Sequence, residues 1–147
     1  MMIRVAQAEE EDLRELTRLA KILWPEETDH DLQTTFKETF YRPNEISIKA
    51  LDGDKMVGIA IFSIRSEYVE GSEASPTGYL EAIIVDESVR GKGVANALLE
   101  NGIEWCKDRG CRQLGSDVEL DNEVSQAFHQ KAGFREVNRL VCYIREI

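Results

Sequence analysis

The chain has 147 residues, enough for one domain over 1–147 with its own hydrophobic core, and its 28 acidic against 18 basic residues give a formal charge of −10. A surface that anionic disfavours nucleic acid and anionic lipid as partners and would attract a cationic one, although one-sided acidity also serves solubility alone. No stretch approaches the roughly 18 apolar residues of a membrane span, and three cysteines without a CxxC pair (Cys106, Cys111 and Cys142) suit a reducing, cytoplasmic setting.

Ile3–Ala8 alternates weakly and predicts a first strand. Glu9–Asp12 is an acidic helix start, followed by Leu13, Leu16, Leu19, Ala20 and Leu23 at helical spacing. Trp24-Pro25 closes that helix, because the residue before a proline is pushed out of the helical region. A second amphipathic helix is expected over Asp31–Tyr41. Ile46–Leu51 and Met56–Ile64 read as strands joined into a hairpin by the polar turn DGDK. The stretch 65–78 is a loop by its Gly, Ser and Pro content. Tyr79–Val85 is the most apolar strand. Gly93–Asp108 is a long helix stopped at Gly110, Cys111–Ser116 a short strand, Asn122–Lys131 a helix stopped at Gly133, and Phe134–Ile144 a last strand. That order predicts an α/β (or α+β) layer domain: a mixed sheet with helices on both faces.

The turn RGKGVA, 90–95, joins a strand to a helix. A Walker loop needs four residues between its first glycine and a GK[ST], and Lys92 is followed by Gly93. A dinucleotide fingerprint needs a third glycine where Asn96 stands. What remains is a pyrophosphate cradle at a helix N-terminus, with Gly91 and Gly93 allowing close approach and Arg90 and Lys92 adding charge. A plain loop-to-helix junction is the alternative. Elsewhere, Glu81 lies within an otherwise apolar strand, where a carboxylate needs a partner or a function.

The segment VDESVRGKGVANALL resembles the R-x-x-G-x-A motif of the GNAT superfamily of acetyl-CoA-dependent N-acetyltransferases, and NEVSQAFHQKAGF is similar to that family's Asn…Gly-Phe segment. The resemblance implies a mostly antiparallel central sheet and acetyl-CoA as co-substrate. Its pantetheine arm would run along Ile83, Ile84 and Val85 and past Asn122. Its pyrophosphate would sit on Arg90, Gly91, Lys92, Gly93, Val94 and Ala95. No metal is implied.

Three further segments, KILWPEETD, SIRSEYVEGSEASPTGYLEAIIV and GSDVELDNEVSQAFHQKAGF, look like one subgroup of aminoglycoside 6′-N-acetyltransferases, enzymes of antibiotic resistance. That implies an acceptor pocket lined by Trp24, Tyr68, Glu81 and Asp117. The chemistry agrees, since a polyol bearing ammonium groups needs carboxylates and aromatic faces. Trp24 also suits a core position, Asp117 a helix cap and the loop acids a solvated surface. Glu81 or Asp117 is the base that frees the amine, by direct transfer without an acyl-enzyme. His129 stands where many relatives carry a tyrosine that protonates the leaving thiolate, with Tyr143 as an alternative. Relatives are commonly dimers, and the last strand would serve an interface. Two other readings stay open: acetylation of another cationic amine, such as a polyamine or peptide N-terminus, and a non-catalytic acetyl-CoA-binding module.

Overall fold

The computed structural model describes residues 2–147. Five strands, β1 (Ile3–Gln7), β2 (Glu45–Asp52), β3 (Lys55–Arg65), β4 (Thr77–Val85) and β5 (Leu114–Ser116), form one sheet in the order β1-β2-β3-β4-β5. All neighbours are antiparallel except β4 and β5. Four α-helices accompany it: α1 (Leu13–Leu23), α2 (Asp29–Tyr41), α3 (Val94–Asp108) and α4 (Glu123–Lys131). The α/β class, the mixed sheet and the helices on both faces agree with the sequence reading.

The central strand explains the layering. β3 reads KMVGIAIFSIR and is buried from Met56 to Ser63, the pattern of a strand covered on both sides. Its alternate residues go to different cores. Ile59 and Ile61 pack with Ala82 and Ile84 under Leu16, Leu19 and Ala20 of α1 and Leu32 and Phe36 of α2. Val57, Ala60 and Phe62 pack with Leu80 under Val94, Leu98, Leu99 and Cys106 of α3. Each large apolar side chain so buried contributes about 1.5–3 kcal/mol.

Local chemistry sets the helix ends. Glu9 and Asp12 cap each other reciprocally around a single 3-10 turn, Glu10–Asp12, which leads into α1. α1 ends where the Trp24 N–H reaches the Ala20 carbonyl and Pro25 follows. Arg18 then ties α1 to the sheet, donating to the Met56 carbonyl at 3.1 Å and pairing with Asp86 at 3.7 Å. Among the described residues, no helix is long and apolar enough to cross a membrane.

Two expectations need correction. The fifth strand covers only Leu114–Ser116, because β4 offers it just three partners, Gly78, Tyr79 and Leu80. The expected strand over Phe134–Ile144 does not form. A strand needs an edge to pair with, and this segment is drawn elsewhere. Val137 lies against Gly71, where a Cβ would stand 2.7 Å from its Cγ2, and the Asn138 amide donates to Glu70 at 3.1 Å. Beyond these contacts Leu140, Val141, Tyr143 and Ile144 are exposed.

The tightest fit between sheet and helix is at Gly102 of α3, where a Cβ would stand 2.0 Å from Cζ of the fully buried Phe62. Gly102→Ala is expected to destabilise the fold by about 1–3 kcal/mol through overpacking. Urea unfolding checks this: the midpoint should fall with the slope unchanged.

Candidate active site

The ladder between β3 and β4 has one irregularity. Ile61 stands opposite Ala82 and Phe62 opposite Leu80, so Glu81 is an extra residue in β4. Such a bulge bends the strand and re-aims the side chain. That is how a carboxylate sits between buried Leu80 and Ala82 while itself reaching solvent. Ser63 Oγ donates to Glu81 Oε2 at 2.5 Å, and Arg65 grips the same carboxylate through Nη2 at 2.9 and 2.8 Å and Nε at 3.2 Å.

Arg65 has a second contact. Its guanidinium carbon lies 3.5 Å from the centre of the Tyr79 ring, and the Tyr79 hydroxyl donates to Asp117 Oδ2. Burial first, and then that bond to a carboxylate, push the Tyr79 phenol well above its ordinary value.

The other side of β4 is open. β5 runs parallel to it only at Gly78–Leu80, so from Glu81 to Val85 no described strand pairs with β4 opposite β3. A pocket of about 180 Å³ fills the gap, and Trp24, Glu81, Ile83, Asp117, Asn122 and His129 all line it. Six residues singled out in the sequence therefore meet. Tyr68 does not line this pocket; it is 78 % exposed, with its hydroxyl 3.3 Å from Glu70. A larger hollow of about 280 Å³, between α2, β1 and the end of α3, contains none of the predicted residues. Its cations already have partners: Arg42 on Glu45, and Arg109 over Trp105.

α4 supplies two of the lining groups. Asn122, rather than Asp117, is its cap, accepting from the Ser125 N–H at 3.1 Å. His129 Nδ1 lies 2.7 Å from the Ser125 carbonyl, which can only accept, so Nδ1 carries the hydrogen. Its Nε2 meets the Ser116 hydroxyl at 2.8 Å. With Nδ1 held by that carbonyl, Nε2 is the acceptor of the neutral ring and the Ser116 hydroxyl donates to it.

The glycine turn is built for an anion. Gly91 and Gly93 take φ of 77° and 83°, a region other residues rarely enter. Gly93 caps α3 with no side chain bonded to the first-turn amides and no acid in that turn, so the positive end of a 15-residue helix is left uncompensated. Arg90 Nε bonds back to the Val85 carbonyl at 3.3 Å, tying the turn to the open strand. Asp86, held below the usual carboxylate range by the Ser88 N–H and hydroxyl, closes the corner between them.

The sequence reading missed Ser63, Arg65, Tyr79 and Ser116. Arg65 was absorbed into a loop by the Gly, Ser and Pro that follow it; in fact β3 extends to Arg65 and β4 begins at Thr77. A cation beside an acid-rich loop was the available signal.

Comparison with known proteins follows the same lines. Residues 11–134 match the model of the Acetyltransferase (GNAT) family. An aminoglycoside N(6′)-acetyltransferase type 1 of Salmonella typhimurium is 34% identical over 140 residues, covering 90% of this chain and 97% of that one. The crystal structure of aminoglycoside N-acetyltransferase AAC(6′)-Iy in complex with CoA superposes with a TM-score of 0.95 at 32% identity, over 99% of this chain and 96% of that one. AAC(6′)-Iy in complex with a bisubstrate analogue, CoA-S-monomethyl-acetylneamine, matches equally, TM-score 0.95 at 32% identity over 100% of both chains.

The Tyr79 environment has a measurable sign. A raised phenol stays protonated in the fold where an unfolded tyrosine has ionised, so stability is lost as pH rises past about 10. Tyr79→Phe should make the alkaline fall of stability shallower. It should also leave the native protein's tyrosinate absorbance at about pH 11 unchanged.

Proposed function

Because this chain belongs to the acetyltransferase (GNAT) family, we propose that it works as a single domain over 1–147 that transfers the acetyl group of acetyl-CoA to the 6′-amine of an aminoglycoside, the reaction of its resistance-enzyme relatives. The observation that carries the reading is the pairing of Glu81 and Asp117 beside Trp24 in one pocket along the open edge of β4. A polyamine sugar needs those groups, and a thioester arm needs that edge.

In this reading the pyrophosphate of acetyl-CoA rests on the amides and cations of Arg90–Ala95. The pantetheine arm pairs along Ile83, Ile84 and Val85 and touches Asn122. The acceptor's ammonium groups are drawn between the carboxylates, with a sugar ring against Trp24.

The two carboxylates then divide the work. Glu81 is held by Arg65 and Ser63 through both oxygens and anchors a cation of the acceptor. Asp117 receives one side-chain bond, from Tyr79, and keeps lone pairs to take the proton of the reacting ammonium, directly or through water. The free amine attacks the thioester carbon, a β4 amide steadies the oxyanion, and the C–S bond breaks. As the C–S bond breaks, the nitrogen sheds its second proton, which His129 Nε2 takes up and returns through the Ser116 hydroxyl to the sulfur, so the nitrogen is left as an amide and CoA leaves as a thiol.

The same reading makes the enzyme a homodimer of the cytoplasm. Three free cysteines suit a reducing compartment. Leu140–Ile144 is five apolar residues in a row, the composition of a strand covered on both faces, yet it is exposed in one chain. A second copy covers it.

Three measurements check these statements. Thiol release from acetyl-CoA should accelerate with kanamycin- or tobramycin-like amines; activity on polyamines alone would reassign the acceptor, and no turnover with any amine would leave a binding module. Glu81→Gln should raise the acceptor KM far more than the acetyl-CoA KM, whereas equal losses would make Glu81 structural. Sedimentation should give twice the chain's mass, and Val141→Asp with Tyr143→Asp should give the monomer.

A further inference from the structure

We propose that Arg65 and Tyr79 are positioning residues which set the aim and spacing of the two carboxylates of the acceptor pocket; the proposal rests on the acetyltransferase reading above. The need arises from the sheet. Glu81 lies on a bulge, and Asp117 lies one residue beyond β5, past the last pair that joins it to β4. Backbone pairing therefore does not fix one acid relative to the other.

A side-chain relay does. From Glu81 it runs through the two-pronged Arg65 contact to the Tyr79 face at 3.5 Å, and through the Tyr79 hydroxyl to Asp117. The hydroxyl is the sole side-chain partner of Asp117 among the described residues. On Glu81, Oε2 holds Ser63 and both Arg65 nitrogens, while Oε1 holds Nη2 alone and keeps a lone pair for a substrate ammonium.

Stability does not account for this arrangement. The Arg65 and Glu81 side chains are 41% and 32% exposed, and pairs that open to solvent contribute little to folding. β3 and β4 are already zipped along eight residue pairs, from Gly58↔Val85 to Arg65↔Thr77. The fork geometry and the stacking are properties of a guanidinium that lysine lacks, which makes the contact one of orientation rather than of charge alone. With Glu81 paired to its own cation, Asp117 and Glu119 are the lining carboxylates without an ion pair among the described residues, and of the two it is Asp117 that the relay holds.

The test measures steady-state kinetics with tobramycin and acetyl-CoA, together with calorimetric binding of tobramycin to the CoA complex, for wild type, Arg65→Gln, Arg65→Lys, Tyr79→Phe and the Gln/Phe double variant. Arg65→Gln should raise the acceptor KM and Kd about tenfold, and Tyr79→Phe about threefold, with the acetyl-CoA KM and the melting temperature near wild type. Arg65→Lys should recover less than half of the loss. Because the two residues act as one relay, the double variant should resemble Arg65→Gln rather than show the product of the two effects. An unchanged acceptor KM, a parallel rise in the acetyl-CoA KM, full rescue by lysine or multiplicative losses each overturn the proposal. Failure of the wild type to bind or acetylate tobramycin overturns the underlying reading, and the proposal with it.

Discussion

The pocket of this chain depends on β4 being left half paired. One edge is fully laddered to β3, while the other is joined to β5 at only three residues before the two strands part. Backbone amides and carbonyls that lose a strand partner must find another, and water or an extended ligand arm is what remains. The divergence thus creates both the gap that holds the pocket and the open edge that runs along it. α1 and α2 cover one face of the sheet and α3 the other.

Charge is then distributed around that gap with economy. The surface is strongly acidic, but two cationic sites interrupt it for different purposes. At the glycine turn, Arg90 and Lys92 add to the uncompensated start of α3 and favour an anion. At the other end of β4, Arg65 neutralises one acid and, through Tyr79, touches the second. In the proposed reading the turn meets the anionic donor and the carboxylates meet the cationic acceptor, so the two ends of one strand serve opposite charges.

How far the sequence revealed this depends on what each feature rests on. The layers were legible because β3 is apolar without interruption and α1 repeats Leu16, Leu19 and Ala20 at helical spacing, both local patterns. The turn was legible from Gly91 and Gly93, whose conformations follow from residue type. Glu81 was legible as an anomaly in an apolar strand, but its bulge was not, since a bulge is a relation between two strands. For the same reason the Arg65–Tyr79 and Ser116–His129 contacts, which join different elements, could not be read from spacing. The last segment misled because Leu140–Ile144 has the composition of a strand, and composition does not say which edge, or whose, will receive it.

The bulge has one more consequence. Since Glu81 is the supernumerary residue, removing it would bring Leu80 opposite Phe62 and Ala82 opposite Ile61 with no irregularity, each still on its own face of the sheet. The acid proposed to anchor the acceptor is thus an insertion into an otherwise regular ladder, separable from the scaffold by one codon. A lineage could lose the acceptor while keeping the sheet and its anion turn, or gain one by the reverse step. Chemistry and architecture in this chain can therefore be inherited independently.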